Sequence, residues 1–203
     1  MSSEPFKIRA ARVEDADAIA HVHHQSWAET YPDMLPAELI ARYSLDYRLA
    51  QWRRIIRETP PGVARFVAEA RDAENNPTVI GVAQCGPARD VDLGASFEIM
   101  MIYVLRRAQS LGVGRALMGA MFDCLAPQIA EAKKSGAIEQ SCVGLWVLKG
   151  NDRAIRFYET MGAALTGPAK SEKRFGIAIE DIAMRWEKTP DDATSSAPTR
   201  VSP

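Results

Sequence analysis

The stretch EIMMIYVLRRAQSLGVGRALM, Glu98 to Met118, reads as a strand, a turn and the start of a helix. Phe97 to Val104 (FEIMMIYV) is apolar on both alternating faces apart from Glu98, the pattern of a central strand covered on both sides. Beyond the turn, Val113, Leu117, Met121 and Leu125, with Met118 and Phe122, form a wide apolar stripe at helical spacing, predicting a helix that Pro127 kinks or ends. The turn itself, Gln109-Ser110-Leu111-Gly112-Val113-Gly114-Arg115, therefore presents successive main-chain N–H groups at a helix N-terminus, which is a physical anion site. Glycine at 112 and 114 lets the main chain approach a pyrophosphate closely. The same glycines also suit a turn that serves only close packing. A dinucleotide fingerprint needs a third glycine where Leu117 stands, and a P-loop needs Lys followed by Ser or Thr; neither is present.

Working outward, Ser141 to Leu148 reads as a second strand, followed by a helix from Asn151 to Met161 closed by Gly162 and a final alternating strand, Ile177 to Trp186. Upstream, Phe6 to Arg12 alternates as a strand, and Glu14, Asp15 and Asp17 place negative charge in the first turn of a helix reaching about Trp27. Two helical stretches, Pro36 to Tyr43 and Asp46 to Arg57, precede a hairpin of Ala64 to Ala70 and Thr78 to Gly86 around Asn75-Asn76-Pro77. Residues 1–187 are expected to form one domain. Lys188 to Pro203 is Pro/Ser/Thr-rich and poor in apolar residues, so it is expected to remain a disordered tail.

The 203 residues are 47% hydrophobic and 25% charged, an ordinary globular composition, and the net charge of -1 supplies no field to attract nucleic acid or anionic lipid. The longest apolar run, Ile99 to Leu105, is far short of a membrane span, and Met1 to Ile8 lacks a signal-peptide layout, so a cytoplasmic protein is expected. Cys85, Cys124 and Cys142 are odd in number, widely spaced and set among apolar residues, which fits reduced, buried thiols.

The run Glu98 to Met118 resembles the acetyl-CoA motif of the GNAT superfamily of N-acetyltransferases. LWVLKGNDRAIRFYETMGA, Leu145 to Ala163, resembles that family's following strand and helix, and IRAARVEDADAIAHVHHQSW its first strand and helix, so the likeness covers roughly residues 6 to 187. It implies an α/β domain whose mixed, mostly antiparallel sheet of roughly six or seven strands is flanked by helices and splayed between the strands at 97–104 and 141–148. Acetyl-CoA, as co-substrate with no metal, is expected in that split. Main-chain groups of Ile102, Tyr103 and Val104 would hold the pantetheine arm and polarise the thioester carbonyl, while Gln109, Ser110, Leu111, Gly112, Val113, Gly114 and Arg115 would hold the pyrophosphate. Arg106, Ser110 and Leu111 stand where the family frequently has Pro, Gly and a basic residue; Arg107 or Arg115 is then left to neutralise the phosphates.

Acetyl transfer to an amine moves one proton off the ammonium and one onto the leaving thiolate. Glu98 lies fourteen residues before Gly112, the offset of the general-base glutamate in histone-type members, and burial in an apolar strand suits a base. The alternatives are a strand-end Glu paired with a nearby Arg, or a water relay in its place. Asn151 and Tyr158, two helical turns apart, can face one cleft. The resemblance makes Tyr158 the acid for the thiolate and gives Asn151 a hydrogen bond to the cofactor's amides; a helix N-cap and a core aromatic are the alternatives. His21, His23 and His24 lack a companion motif for a metal and read as solvated or capping residues.

The stretch Trp27 to Trp52 is left as the wall that selects the acceptor, with Trp27, Tyr31 and Asp33 as substrate-binding residues and Glu29 as a further carboxylate for an ammonium group. Its aromatics equally suit helix packing on the sheet. The expected partner is a small-molecule amine, bound with acetyl-CoA in a ternary complex, and a homodimer is compatible with this reading. A catalytically silent acyl-CoA-binding regulatory domain and a protein N-terminal or lysine acetyltransferase are the alternative functions.

Overall fold

The computed structural model describes residues 5–138 and 143–186. Cys142, the first residues of the strand expected from Ser141 and the tail 188–203 lie outside the described residues. The elements run β1 (Phe6–Ala10), α1 (Ala16–Thr30), α2 (Ala37–Arg42), α3 (Leu45–Ile55), β2 (Ala64–Arg71), β3 (Pro77–Pro87), β4 (Phe97–Val104), α4 (Val113–Lys134), β5 (Val143–Leu148), α5 (Asp152–Thr160), β6 (Ala164–Arg174) and β7 (Ile177–Trp186). They form one seven-stranded sheet in the order β1-β2-β3-β4-β5-β7-β6.

Every neighbouring pair is antiparallel except β4 and β5. Those two run parallel and pair only through Phe97 with Val143 and Glu98 with Gly144. Beyond Glu98, among the described residues, the β4 edge facing β5 has no strand partner, while β4 stays paired to β3 along its whole length. The sheet is thus one body at the base of these strands and open above it.

Helices cover both faces. The apolar stripe of α4 (Val113, Leu117, Met121, Leu125) joins Ile99, Leu145, Tyr158 and Trp186 in the largest core cluster. On the other face Ile19, Val22 and Trp52 of α1 and α3 pack on Val67 and Val82, while Trp27 and Leu39 meet Ile179 of β7. These clusters follow from the periodicities of the sequence, with removal of apolar area from water as the driving term.

Of the two outcomes expected at Pro127, a kink or an end, the helix does not end there; it runs on to Lys134 with the proline inside it. A proline forfeits one helical hydrogen bond, and the apolar anchors Leu125 and Ile129 on either side, both buried, outweigh that loss. β6 was not foreseen, because Gly167-Pro168 and the charges Lys170, Glu172, Lys173 and Arg174 mask any strand pattern; it is an edge strand held by β7 alone, where charges are tolerated. Of the described cysteines, Cys85 is buried and Cys124 half-buried, and neither is in a disulfide. Burial, with Cys124 nearby, pushes the Cys85 thiol up to about 12, so it is an inert core residue.

Candidate active site

The turn between β4 and α4 is built as a donor cradle. Ser110 and Gly112 both adopt left-handed backbone, with φ of 65° and 86°. Gly112 is the N-cap of α4, and a Cβ added there meets no atom within 4 Å, so its glycine answers to backbone conformation and leaves open space over the turn. A Cβ on Gly114 instead meets the Phe157 ring at 3.3 Å, so this second glycine serves the close approach of α4 to α5. The first helical bond is Ala116 N to Gly112 O at 3.0 Å; the N–H groups of Ser110 to Arg115 have no hydrogen-bond partner among the described residues. Six consecutive orphan donors at a helix N-terminus suit a diphosphate. Gln109 Nε2 donates to Val104 O at 2.9 Å, which fastens the turn to the end of β4. Arg107, Leu111 and Arg115 are exposed beside it.

A second tie comes from α1. Glu29 accepts from Arg106 N at 2.8 Å, and the Arg106 guanidinium donates to the Glu29 carbonyl. Glu29 therefore anchors the turn, and it is not among the residues that line the cavity at the split.

At the split between β4 and β5 lies a cavity of about 170 Å³, lined by Trp27, Tyr31 and Leu35 from α1 and the segment after it, Glu98, Met100 and Tyr103 from β4, Trp146 and Leu148 from β5, and Arg174 and Asp181 from β6 and β7. Of the acceptor residues expected from the sequence, Trp27 and Tyr31 are here, whereas Asp33 is exposed and does not line the cavity. Trp27 Nε1 donates to the Tyr103 hydroxyl at 2.9 Å, and His23 stacks on the Tyr103 ring at 4.4 Å. His23 is buried and accepts from Trp52 Nε1 at 3.0 Å, so it is neither solvated nor a cap; burial, reinforced by the Arg48 charge, holds its pKa well below the usual histidine range. His21 and His24 contact the carbonyls of Asp17 and Tyr43.

Tyr158 is buried and packs edge-on against Phe157 and Trp186, as a core aromatic does. Its hydroxyl forms no hydrogen bond among the described residues. Burial and the neighbouring Tyr103 push the Tyr158 phenol well above the usual tyrosine range, and burial with Tyr103 and Tyr158 does the same to Tyr31. Tyr31 and Tyr158 are thus held in the protonated form, Tyr31 in the lining of the cavity together with Tyr103 and Tyr158 in the core behind it. Asn151 Oδ1 caps α5 by accepting from Ala154 N at 3.2 Å, and its amide N–H₂ donates to none of the described residues.

Glu98 is 2% exposed. Arg89 surrounds it, donating from the main chain at 3.1 Å, from Nε at 3.0 Å and from Nη2 at 2.5 Å. The paired-Arg alternative for this residue is therefore what the structure displays. Two residues that sequence reading missed also face the cavity: Arg174 and Asp181. Asp181 had a visible signal, an acid in the apolar phase of an alternating strand, between Ile179 and Ala183. Arg174 had none, since it closes a charged run in an unrecognised strand.

A shallower hollow of about 510 Å³ lies on the outer side of the turn, lined by residues including Phe6, Arg71, Asp72, Arg107 and Leu111, and shares no residue with the cavity at the split.

Residues 23–163, which run from the second half of α1 through α5, match the model of the acetyltransferase (GNAT) family. The chain belongs to that family. This GNAT chain is 29% identical over 187 residues to the uncharacterised N-acetyltransferase YuaI of Bacillus subtilis, covering 88% of this chain and 91% of that protein. Its fold is similar to that of the PaiA N-acetyltransferase of Thermoplasma acidophilum solved in complex with coenzyme A, with a TM-score of 0.56 and 21% identity over 93% of this chain and 100% of that one. It is also similar to YncA of Salmonella typhimurium, a putative acetyltransferase solved with its cofactor acetyl-CoA, with a TM-score of 0.57 and 21% identity over 97% and 99% of the two chains. Among the described residues of this GNAT chain no helix is long and apolar enough to cross a membrane.

Proposed function

We propose that the chain transfers an acetyl group from acetyl-CoA to the primary amine of a small molecule, with both bound at once. The observation that carries this reading is the continuity of unpaired main chain. The orphan N–H groups of Ser110 to Arg115 meet the unpartnered edge of β4, and that edge leads to the cavity that holds Trp27, Tyr31 and Tyr103. An anion cradle, an extended hydrogen-bonding edge and a small chamber are what a long diphosphate thioester and a separate acceptor require. The coenzyme supplies the activated acyl group.

The chain's own residues do the rest. Ser110 to Arg115 bind the diphosphate, with Arg107 and Arg115 as exposed cations beside them. Main-chain groups of Ile102, Tyr103 and Val104 hold the pantetheine arm and polarise the thioester carbonyl, and the Asn151 amide N–H₂ offers a further donor. Tyr158, kept protonated by burial, delivers a proton to the departing sulfur. The acceptor's ammonium must shed a proton before it can attack, and two carboxylates, Glu98 and Asp181, line the chamber where it would stand. The cavity of about 170 Å³ has room for a small amine beside these groups.

Thiol release from acetyl-CoA, measured with amino acids, polyamines, aminoglycosides and peptide N-termini, tests the reading. Amine-dependent release with stoichiometric acetylated product is expected. A rise in melting temperature with acetyl-CoA but no thiol with any amine would identify a binder instead. Release only with peptides would move the acceptor class to proteins.

A further inference from the structure

Along β7, Ile179, Asp181 and Ala183 occupy the buried phase of the strand. A carboxylate there is expensive to keep unless it is held or used. Asp181 is 4% exposed and sits opposite Leu148 of β5 and Lys170 of β6. Its one hydrogen bond among the described residues is from Arg174 Nη2 to Oδ2, at 3.1 Å. That guanidinium is shared, because Glu172 accepts from Arg174 Nε at 2.6 Å. Among the described residues Asp181 Oδ1 accepts no hydrogen bond, and it is not sealed from solvent but opens on the cavity that Asp181 lines.

Glu98, across the same cavity, is the opposite case. A carboxylate offers about four acceptor directions, and Arg89 occupies three of those of Glu98. Oε2 takes two of these bonds and Oε1 the third, so little remains for an incoming ammonium group. The two acids of the chamber thus differ: Glu98 is held on both oxygens by Arg89, whereas Asp181 is held on Oδ2 alone by Arg174.

Deepening the acetyl-transfer reading, on which this rests, we propose that Asp181 is the carboxylate that receives the acceptor's ammonium group and takes its proton. Burial pushes the Asp181 carboxyl above the usual aspartate range against the pull of Arg174 and Lys170, with Glu172 adding to the rise, which suits a group that must accept a proton. In the step itself the ammonium N–H passes its proton to Oδ1, and the freed nitrogen lone pair forms the C–N bond to the thioester carbonyl carbon. The C–S bond breaks and its electron pair leaves on sulfur. Tyr158 protonates that sulfur and takes back the second proton that the nitrogen sheds. The products are the amide and the free thiol, with the first proton passing from Asp181 to water. Glu98, held by Arg89, is a positioning residue for the base of the split.

Two coenzyme A analogues separate these roles without any turnover. S-(2-aminoethyl)-coenzyme A carries a fixed primary ammonium beyond the sulfur; S-propyl-coenzyme A is its uncharged counterpart of similar size. Calorimetric titration into the full chain is expected to show the ammonium analogue preferred by roughly 10- to 100-fold, the value of a hydrogen bond to a charged group. Asp181→Asn abolishes the preference while leaving the propyl analogue's affinity within about twofold, and Asp181→Glu restores part of it. Glu98→Gln keeps it. A preference that survives Asp181→Asn, or that disappears in Glu98→Gln instead, overturns the assignment. Should Asp181→Asn fail to fold, the Glu variant decides, since a structural ion pair to Arg174 would be kept there without graded loss of the preference. If neither analogue binds the unaltered chain, the acetyl-CoA reading itself is wrong and Asp181 loses its role with it, an outcome distinct from a lost preference.

Discussion

The turn between β4 and α4 and the cavity at the split of the sheet lie side by side, yet they are assembled in different ways. The turn is one continuous segment, Gln109 to Arg115, whose donors are orphaned by the local geometry of a helix start and by left-handed backbone at Ser110 and Gly112. The cavity takes its lining from α1, β4, β5, β6 and β7, residues as far apart as Trp27 and Asp181. A site made by one segment depends on backbone conformation and tolerates side-chain change; a site made by five elements depends on the side chains and on how the elements pair. Substitutions should therefore separate cleanly into those that move the coenzyme and those that move the acceptor.

The largest effect expected is that of Tyr158→Phe, which joins the two regions. Turnover should fall by roughly 10² to 10⁴ with the acetyl-CoA-induced rise in melting temperature retained. Near-normal turnover in initial-rate assays would leave Tyr158 as a packing residue. Next comes Gly112→Ala, which introduces no steric contact but places a Cβ on left-handed backbone at a cost of about 1–2 kcal/mol. If the turn relaxes to escape that strain, KM for acetyl-CoA rises by roughly tenfold while KM for the amine holds. An unchanged acetyl-CoA KM in the folded variant would detach the turn from the coenzyme.

Trp27→Phe is the complementary perturbation. It removes the bond from Nε1 to the Tyr103 hydroxyl and nothing from the turn, so the amine KM should rise by roughly two- to tenfold alone. Equal loss for both ligands with a lower melting temperature would make Trp27 part of the core. The smallest change is Ser110→Gly. Relief of left-handed strain is offset in part by the entropy that glycine loses on folding, and a rise in melting temperature of roughly 1–3 °C is expected with both KM values unaltered.

The same contrast explains what could be read from the sequence. The buried strand, the orphan-donor turn and the apolar stripe of α4 are all encoded within about thirty residues, by alternation and by helical period, and they stand where those patterns put them. The splay was implied by family resemblance; its physical form, two paired residues followed by divergence of β4 and β5, is a matter of tertiary pairing that no local pattern carries. Glu98 was visible as the one acid in an apolar strand, but its partner Arg89 sits in an irregular loop and only the fold brings the two together. Asp33 looked well placed because it follows Trp27 and Tyr31 closely, yet the chain turns out of α1 at Tyr31 and leaves it in solvent. Asp181 and Arg174 belong to the cavity only because β7 and β6 are laid beyond β5, a strand order that runs against the order in the chain.

Hydrogen exchange at single-amide resolution, with and without acetyl-CoA, tests the central claim most directly. The N–H groups of Ser110 to Arg115, without a partner among the described residues, should exchange rapidly, then slow markedly once acetyl-CoA is present, together with amides on the β4 edge at Ile102 to Val104. Protection confined to the outer hollow around Phe6 and Arg71, with Ser110 to Arg115 still exchanging freely, would contradict the account.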